Sequence, residues 1–258
     1  MTQYYRPIAR FGEVPTRDSF PLAGGLCWFD AVAVHERGGG VETVPASEVP
    51  TQVLDNLIRP RTRISGLDMS APRLMGILNV TPDSFSDGGQ FNAPQAALER
   101  ALAMQAEGAE IIDIGGESTR PGAAEVAADA EIARTAPVIG AIRAKSAVPI
   151  SIDTRKSDVG LAALSAGATM INDVAAFTFD PMLADVAAKA GVPVCVMHAQ
   201  GTPETMQDDP SYDDVLLDVY DFLLARIDAA VGAGIQRDQI VVDPGIGFGK
   251  TVAHNLTL

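Results

Sequence analysis

The residues with chemistry to offer stand at the ends of short apolar runs. Asn79 and Asp87 bracket the segment Asn79-Val80-Thr81-Pro82-Asp83-Ser84-Phe85-Ser86-Asp87-Gly88-Gly89, and they supply oxygen donors of the hard type that Mg²⁺ prefers. The run Asp113-Ile114-Gly115-Gly116-Glu117-Ser118-Thr119-Arg120-Pro121-Gly122 joins two glycines, which let backbone approach a ligand, to a guanidinium that can pair bidentately with phosphate or carboxylate. The alternative for Arg120 is an internal ion pair with Glu117 or Asp113. Asp153 closes Ser151-Ile152-Asp153, and Asn172-Asp173 closes Met170-Ile171-Asn172-Asp173. A lone Asp at such a place is often the N-cap of the following helix. Several carboxylates and amides together can instead bind the edge of a flat heterocycle. A carboxylate accepts two parallel N–H bonds, and Asn both donates and accepts.

Two further segments complete the set. In Val196-Met197-His198, Met197 reads as the wall of a flat pocket and His198 as structural. The chain has three histidines and no HExxH-like spacing, which argues against a zinc site. Asp243-Pro244-Gly245-Ile246-Gly247-Phe248-Gly249-Lys250-Thr251 is similar to a phosphate loop, but only three residues separate Gly245 from Gly249, one fewer than that loop requires. Its glycines are better placed to let Asp243 and Phe248 face a ligand at close range.

Elements must position these groups. The apolar runs Leu74–Asn79, Ile111–Gly115, Pro149–Asp153, Met170–Asp173, Pro193–His198 and Ile240–Asp243 read as strands buried on both faces, the mark of a parallel sheet. Helices separate them. One spans residues 94–107, with Leu98, Ala101, Leu102 and Gln105 on one stripe. Another opens at Asp180-Pro181 and closes at Gly191. A third is expected to start at a capping box formed by Ser211 and Asp214. Six βα units without a hairpin give an α/β fold, either an open doubly wound sheet or a (β/α)₈ barrel. The barrel is favoured because chemistry sits at nearly every strand end, and only a barrel brings all those ends to one mouth. Six of its eight units are present.

Residues 1–70 read as an irregular N-terminal extension, broken by Pro15, Pro21, Pro45, Pro50 and Pro60 and by Gly38-Gly39-Gly40. A strand within Leu26–His35 and a short helix within Val49–Ile58 are its only expected elements. Residues 71–258 form the barrel domain.

The 258 residues carry 19 Lys+Arg against 33 Asp+Glu, a net charge of −14. That balance argues against a general nucleic-acid binder, which needs a basic face. With 47% hydrophobic residues the chain can bury a core. Two cysteines make no disulfide framework, which suits a reducing compartment. No stretch approaches the roughly 18 apolar residues of a spanning helix, and the N-terminus lacks a signal-peptide run. A cytoplasmic protein without membrane association is expected.

Taken in order, these six motifs resemble those of the dihydropteroate synthase family over residues 73–258. The resemblance implies a pterin-binding (β/α)₈ barrel. Such an enzyme condenses 6-hydroxymethyl-7,8-dihydropterin diphosphate with p-aminobenzoate, giving 7,8-dihydropteroate and diphosphate for folate synthesis. Sulfonamides act on the family as p-aminobenzoate mimics. By this resemblance Asp153, Asn172 and Asp243 grip the pterin edge and Met197 lines its face. Asn79 binds Mg²⁺ on the diphosphate, with Asp87. Thr119, Arg120 and Pro121 lie near the aminobenzoate and diphosphate, Gly247 and Phe248 border the aminobenzoate pocket, and Phe85 and Asp113 also serve substrate binding. Asp153, Arg120 and Asn79 are the expected catalytic residues, and a homodimer is the expected assembly. The family's seventh-strand Lys/Ser segment and eighth-strand Arg-x-His segment are not found in this sequence. A C-terminally truncated chain is therefore expected, with its last strand edge exposed. Two other readings are a methyltetrahydrofolate-dependent methyltransferase with a similar barrel and a non-catalytic pterin-binding remnant.

Overall fold

In a computed structural model of the chain, the described residues are 2–13, 18–81, 93–118, 125–201 and 205–258. They divide into two compact units, Met1–Pro72 and Arg73–Leu258.

The first unit is not irregular. Strands β1 (Gln3–Pro7), β2 (Phe20–Pro21), β3 (Trp28–Phe29), β4 (Ala31–Glu36) and β5 (Val41–Pro45) precede helix α1 (Thr51–Ile58). Antiparallel pairing orders three of them β1-β4-β5, while β2 pairs with β3. The glycine run that suggested irregularity is the turn of the β4–β5 hairpin, where Gly38 adopts φ +71°, open to glycine without steric cost. Phe29, Val32, Ala46 and Val49 are buried against Leu54 and Leu57 of α1. Pro21 and Pro45 end strands β2 and β5, and Pro50 stands just before α1, places where a missing N–H costs little.

The second unit alternates strand and helix. Its elements are β6 (Met75–Asn79), α2 (Ala93–Ala106), β7 (Ile111–Gly115), α3 (Ala128–Arg143), β8 (Ile150–Asp153) and α4 (Ser157–Ala166). There follow β9 (Met170–Asp173), α5 (Met182–Ala190), β10 (Val194–Met197), α6 (Val215–Gly232), β11 (Ile240–Asp243) and α7 (Val252–Thr257). The six strands are the six expected, within a residue at each end. All pair in parallel, in the spatial order β11-β10-β9-β8-β7-β6. That order never reverses. Right-handed crossovers wound in one direction put every helix on the same side of the sheet. This is barrel winding, and it rules out the doubly wound alternative, which needs a reversal. Among the described residues β6 and β11 are both edge strands, and the first unit's strands form separate sheets.

Register and the two-residue period of a strand then sort the side chains. Ile112, Ile114, Ile150, Ile152, Ile171, Val194 and Val196 point to one face and are fully buried with Leu98, Ile139, Ile142, Ala163 and Leu183 of the helices. Each such side chain contributes about 1.5–3 kcal/mol relative to exposure. The other face is the polar one.

Helix ends follow local rules with one exception. Gly191 closes α5 at φ +66° and Gly167 closes α4 at φ +115°, as left-handed caps do. Helix α6 is capped by Asp214 alone, whose carboxylate accepts from Leu217 N at 3.1 Å. The expected Ser211 box is absent, because the helix starts at Val215 with Asp214 as its N-cap; Ser211 lies outside it, its main chain held by Gln200, whose Nε2 donates to Ser211 O and whose Oε1 accepts from Ser211 N.

Candidate functional site

Parallel register aligns Asn79 with Gly115, Gly115 with Asp153, and Asp153 with Asn172. Asn172 aligns with Cys195, and two residues on, Met197 aligns with Asp243. The period of two puts Asn79, Asp113, Gly115, Ser151, Asp153, Asn172, Met197 and Asp243 on the same face, at the C-terminal ends of their strands. Adjacent strands lie about 4.8 Å apart, so side chains from neighbouring strands can reach one flat ligand together.

The hydrogen bonds say which groups are committed. Asn172 Nδ2 donates to Asp113 Oδ2 at 3.1 Å, which orients the Asn172 amide and leaves its oxygen as an acceptor. Asp113 is buried, and among the described residues its Oδ1 and the neighbouring Ser151 Oγ make no well-aligned hydrogen bond. Burial raises the Asp113 carboxyl above its ordinary value, and the nearby Ser151 hydroxyl and the Asn172 amide offset only part of this. Asp243 Oδ1 accepts from Gly245 N at 2.7 Å, leaving its second oxygen for a ligand. Among the described residues nothing donates to the Asp153 carboxylate. Burial, then the charges of Asp113, Asp173, Glu131 and Glu117, push it well above 3.8. Asp173 turns to the other face and serves the chain itself. It accepts from Ala175 N and Phe177 N at 2.8 and 2.7 Å, holding Ala176 and Phe177 in left-handed conformations. Burial, opposed by those two bonds, lifts it to about 6.

Beside the row lies a cavity of about 280 Å³, lined by Met197, Phe248, Phe222, Phe179 and Arg155 among others. Met197 and Phe248 therefore share one apolar wall, while Gly247 stands on the same loop with its N–H given to Asn255 Oδ1 at 2.9 Å. Arg155 was not singled out from the sequence. Its guanidinium lies 4.3 Å from the Phe179 ring centroid, donates to Glu117 at 2.8 Å and leaves a buried Nε without a partner. Lys156 lies 3.1 Å from Glu117 and 2.7 Å from the fully buried Glu131. Burial alone would raise Glu117, but the Val126 amide, Arg155 and Lys156 outweigh it and hold its carboxyl below the ordinary value. Nothing in the sequence marks Glu131 or Lys156; the fold brings them together with Glu117 in a buried cluster.

His198 is structural. It is buried and accepts at Nδ1 from Lys250 Nζ at 2.9 Å, and its ring stands edge-on to Phe222. Burial and the Lys250 charge depress it to about 4. Lys250 turns inward to carbonyl oxygens rather than outward to a ligand, unlike a phosphate-loop lysine.

Phe85, Asp87, Thr119, Arg120 and Pro121 lie outside the described residues. No group of three His, Cys, Asp or Glu suited to a metal occurs among the described residues. Asn79 is the exposed member of the row, and its neutral amide oxygen suits an ion that keeps its waters and binds mainly through substrate phosphates, as Mg²⁺ does.

The family described as pterin binding enzyme matches residues 75–258. Dihydropteroate synthase of Escherichia coli (strain K12) is 48% identical over 194 residues, covering 75% of this chain and 68% of the relative. The Yersinia pestis dihydropteroate synthase in complex with a sulfonamide drug superposes with a TM-score of 0.71 at 48% identity, covering 77% of this chain and 72% of that one. Xanthomonas albilineans dihydropteroate synthase with 4-aminobenzoic acid matches with the same TM-score and identity, over 77% and 71%. These names favour a synthase over a methyltransferase. The chain spans about two thirds of the Escherichia coli relative's length.

Proposed function

Because the chain belongs to the pterin-binding enzymes, and among them to the dihydropteroate synthases, we propose that the polar row of its sheet is the pterin site of that reaction. The enzyme is a transferase of folate synthesis. It joins 6-hydroxymethyl-7,8-dihydropterin diphosphate to p-aminobenzoate, with 7,8-dihydropteroate and diphosphate as products.

The observation that carries the assignment of roles is the shared face: Asp153, Asn172, Met197 and Asp243 project from strand ends in one register. Asp153, with both oxygens uncommitted, takes two N–H groups of the amino-pyrimidinone edge. Asn172 and the free oxygen of Asp243 take the remaining edge, and Asp113 holds the Asn172 amide in orientation. Met197 covers the ring face. Phe248 and Gly247 border the aminobenzoate, together with Phe85, Thr119 and Pro121. As the C–O bond at the pterin methylene breaks, positive charge develops on the ring, and the surrounding carboxylates favour it. Arg120 takes the charge of the departing diphosphate. The neutral arylamine attacks the methylene, the new C–N bond replaces the C–O bond, and the amine proton passes to solvent. Alignment of the amine matters more here than a strong base. Asn79 and Asp87 would hold Mg²⁺, which when bound neutralises charge on the leaving group.

We place the enzyme in the cytoplasm, in keeping with two unpaired cysteines, and among the described residues no helix is long and apolar enough to cross a membrane. A homodimer is proposed on the family likeness; sedimentation would report about twice 27.0 kDa.

The test is p-aminobenzoate-dependent formation of dihydropteroate by the 258-residue chain with pterin diphosphate and Mg²⁺. Turnover that Asp153→Ala and Arg120→Ala abolish, and that a sulfonamide inhibits in competition with p-aminobenzoate, supports the reading. Absence of turnover and of pterin binding overturns it.

A further inference from the structure

We propose that Lys250 is a positioning residue, whose buried ammonium clamps the β10–α6 loop to the β11–α7 loop and so sets Met197, Asp243 and Phe248 against the pterin. The inference rests on the functional reading above.

Four acceptors surround the three protons of Lys250 Nζ. They are His198 Nδ1 at 2.9 Å, His198 O at 3.3 Å, Gly245 O at 2.9 Å and Phe248 O at 3.0 Å. Two acceptors belong to each loop, and the side chain is buried. The connection to the pterin-facing groups is short. Lys250 holds the carbonyl of Gly245, and the N–H of Gly245 holds Asp243 Oδ1 at 2.7 Å. His198 N donates to Asp243 O at 3.0 Å, one residue from Met197. Phe248 is held through its own carbonyl.

The two loops are shaped for this approach. A Cβ on Gly245 would lie 2.0 Å from His198 O, and one on Gly249 would lie 2.7 Å from Gln200 O. Both glycines also have positive φ. Backbone contact this close leaves carbonyl oxygens facing inward, and a buried carbonyl without a donor is costly. The ammonium supplies that donor, and no uncharged side chain of similar length carries three N–H groups.

The clamp depends on its proton. Burial lowers Lys250 to about 8, with Asp243 opposing. His198, held near 4 by burial and by Lys250, is neutral at pH 7 and accepts at Nδ1. Asp218 of α6 and Tyr212 complete the titratable surroundings of that imidazole, and His254 packs on Tyr212. A lysine whose folded value lies below its unfolded value favours unfolding while charged. Its own contribution to stability therefore rises, not falls, as pH passes through about 8. Loss of pterin affinity in that window is a positioning effect and not unfolding.

The experiment compares the full chain with Lys250→Met and Lys250→Arg. It follows turnover, 6-hydroxymethylpterin binding from pH 6 to 10, and the NMR signals of the His198 ring. The unaltered chain is expected to lose pterin affinity with an apparent pKa of about 8, beyond the loss that the pterin's own lactam ionisation causes in the same range and that Lys250→Arg retains, with the His198 signals of the ligand-free chain moving in the same step. Lys250→Met should raise KM for the pterin diphosphate ~10-fold or more with kcat changed far less, the signature of lost ground-state binding. Lys250→Arg stays charged and should move the alkaline limb upward. Pterin affinity flat across this range, or a folded Lys250→Met with unaltered KM, overturns the proposal. If neither variant folds, the unaltered chain decides: separate steps for His198 and for pterin binding, or no His198 step, overturn it. Should the unaltered chain neither bind pterin nor turn over, the functional reading has failed, and the His198 step alone tests the clamp.

Discussion

Asn79 and Asp153 face each other across Gly115, such that a methyl group on that glycine would lie 3.5 Å from Asn79 Oδ1 and 3.4 Å from Asp153 Oδ2. Those are ordinary van der Waals distances. Gly115→Ala should therefore fold, and with a strand position relieved of glycine it should gain about 0.5–1 kcal/mol. The methyl would nevertheless stand in the gap between the proposed metal residue and the proposed pterin carboxylate. Thermal melts should show equal or greater stability, and steady-state kinetics a loss of ~10-fold or more in kcat/KM. Unchanged kcat/KM would separate this gap from the reaction.

Asp153 gains no hydrogen bond from the described residues and stands among like charges, so its ionisation works against folding. A carboxyl with a raised folded value holds its proton more tightly when folded. The penalty is absent below the unfolded value of 3.8 and grows as pH rises towards the folded value. Asp153→Asn should melt higher than the unaltered chain at pH 7, and the difference should shrink as pH falls towards 4. Pterin binding should be lost, because the amide replaces one acceptor with a donor that meets an N–H. Equal melting temperatures at pH 7 would show that the neighbouring charges are neutralised by other means.

Lys156 bridges Glu117 and the fully buried Glu131. Lys156→Met leaves Glu131 charged and unpaired, and should cost about 3–5 kcal/mol in denaturant unfolding. Adding Glu131→Gln should recover most of that loss. A single variant as stable as the unaltered chain, or a double variant no better than the single, would place the stabilisation elsewhere.

Asn79 is exposed, so truncating it should cost the fold less than about 0.5 kcal/mol. If it binds Mg²⁺, Asn79→Ala should need a several-fold higher Mg²⁺ concentration for half-maximal turnover while leaving 6-hydroxymethylpterin affinity unchanged. An unchanged Mg²⁺ requirement would remove Asn79 from the metal's donors.

The strands and their polar ends were legible because local pattern carries them. Five of the six apolar runs end in Asn, Asp or Gly and the remaining one in His198, and burial on both faces of a parallel sheet demands such runs. The first unit's sheet was not legible, since its pairs join segments as far apart as Gln3 and Glu36 and charged residues dilute their alternation. Likewise Ser211 looked like a helix cap on spacing alone, but the helix starts three residues later, at the Asp214 cap, and Ser211 N donates to a side chain eleven residues away.

By itself the sequence determined which residue types stand at each strand end, and with them the family. Strand periodicity and motif spacing are local properties of the chain. Only the tertiary structure decided the uses of those residues. It turned Asp173 to the loop and left Asp153 without a hydrogen-bond donor among the described residues, it hid Glu117, Glu131 and Lys156 in one buried cluster, and it drew Lys250 in among carbonyls of two loops. Those outcomes depend on which groups meet after folding and how little water remains between them, and burial and charge proximity are set by chain segments that local pattern cannot bring together.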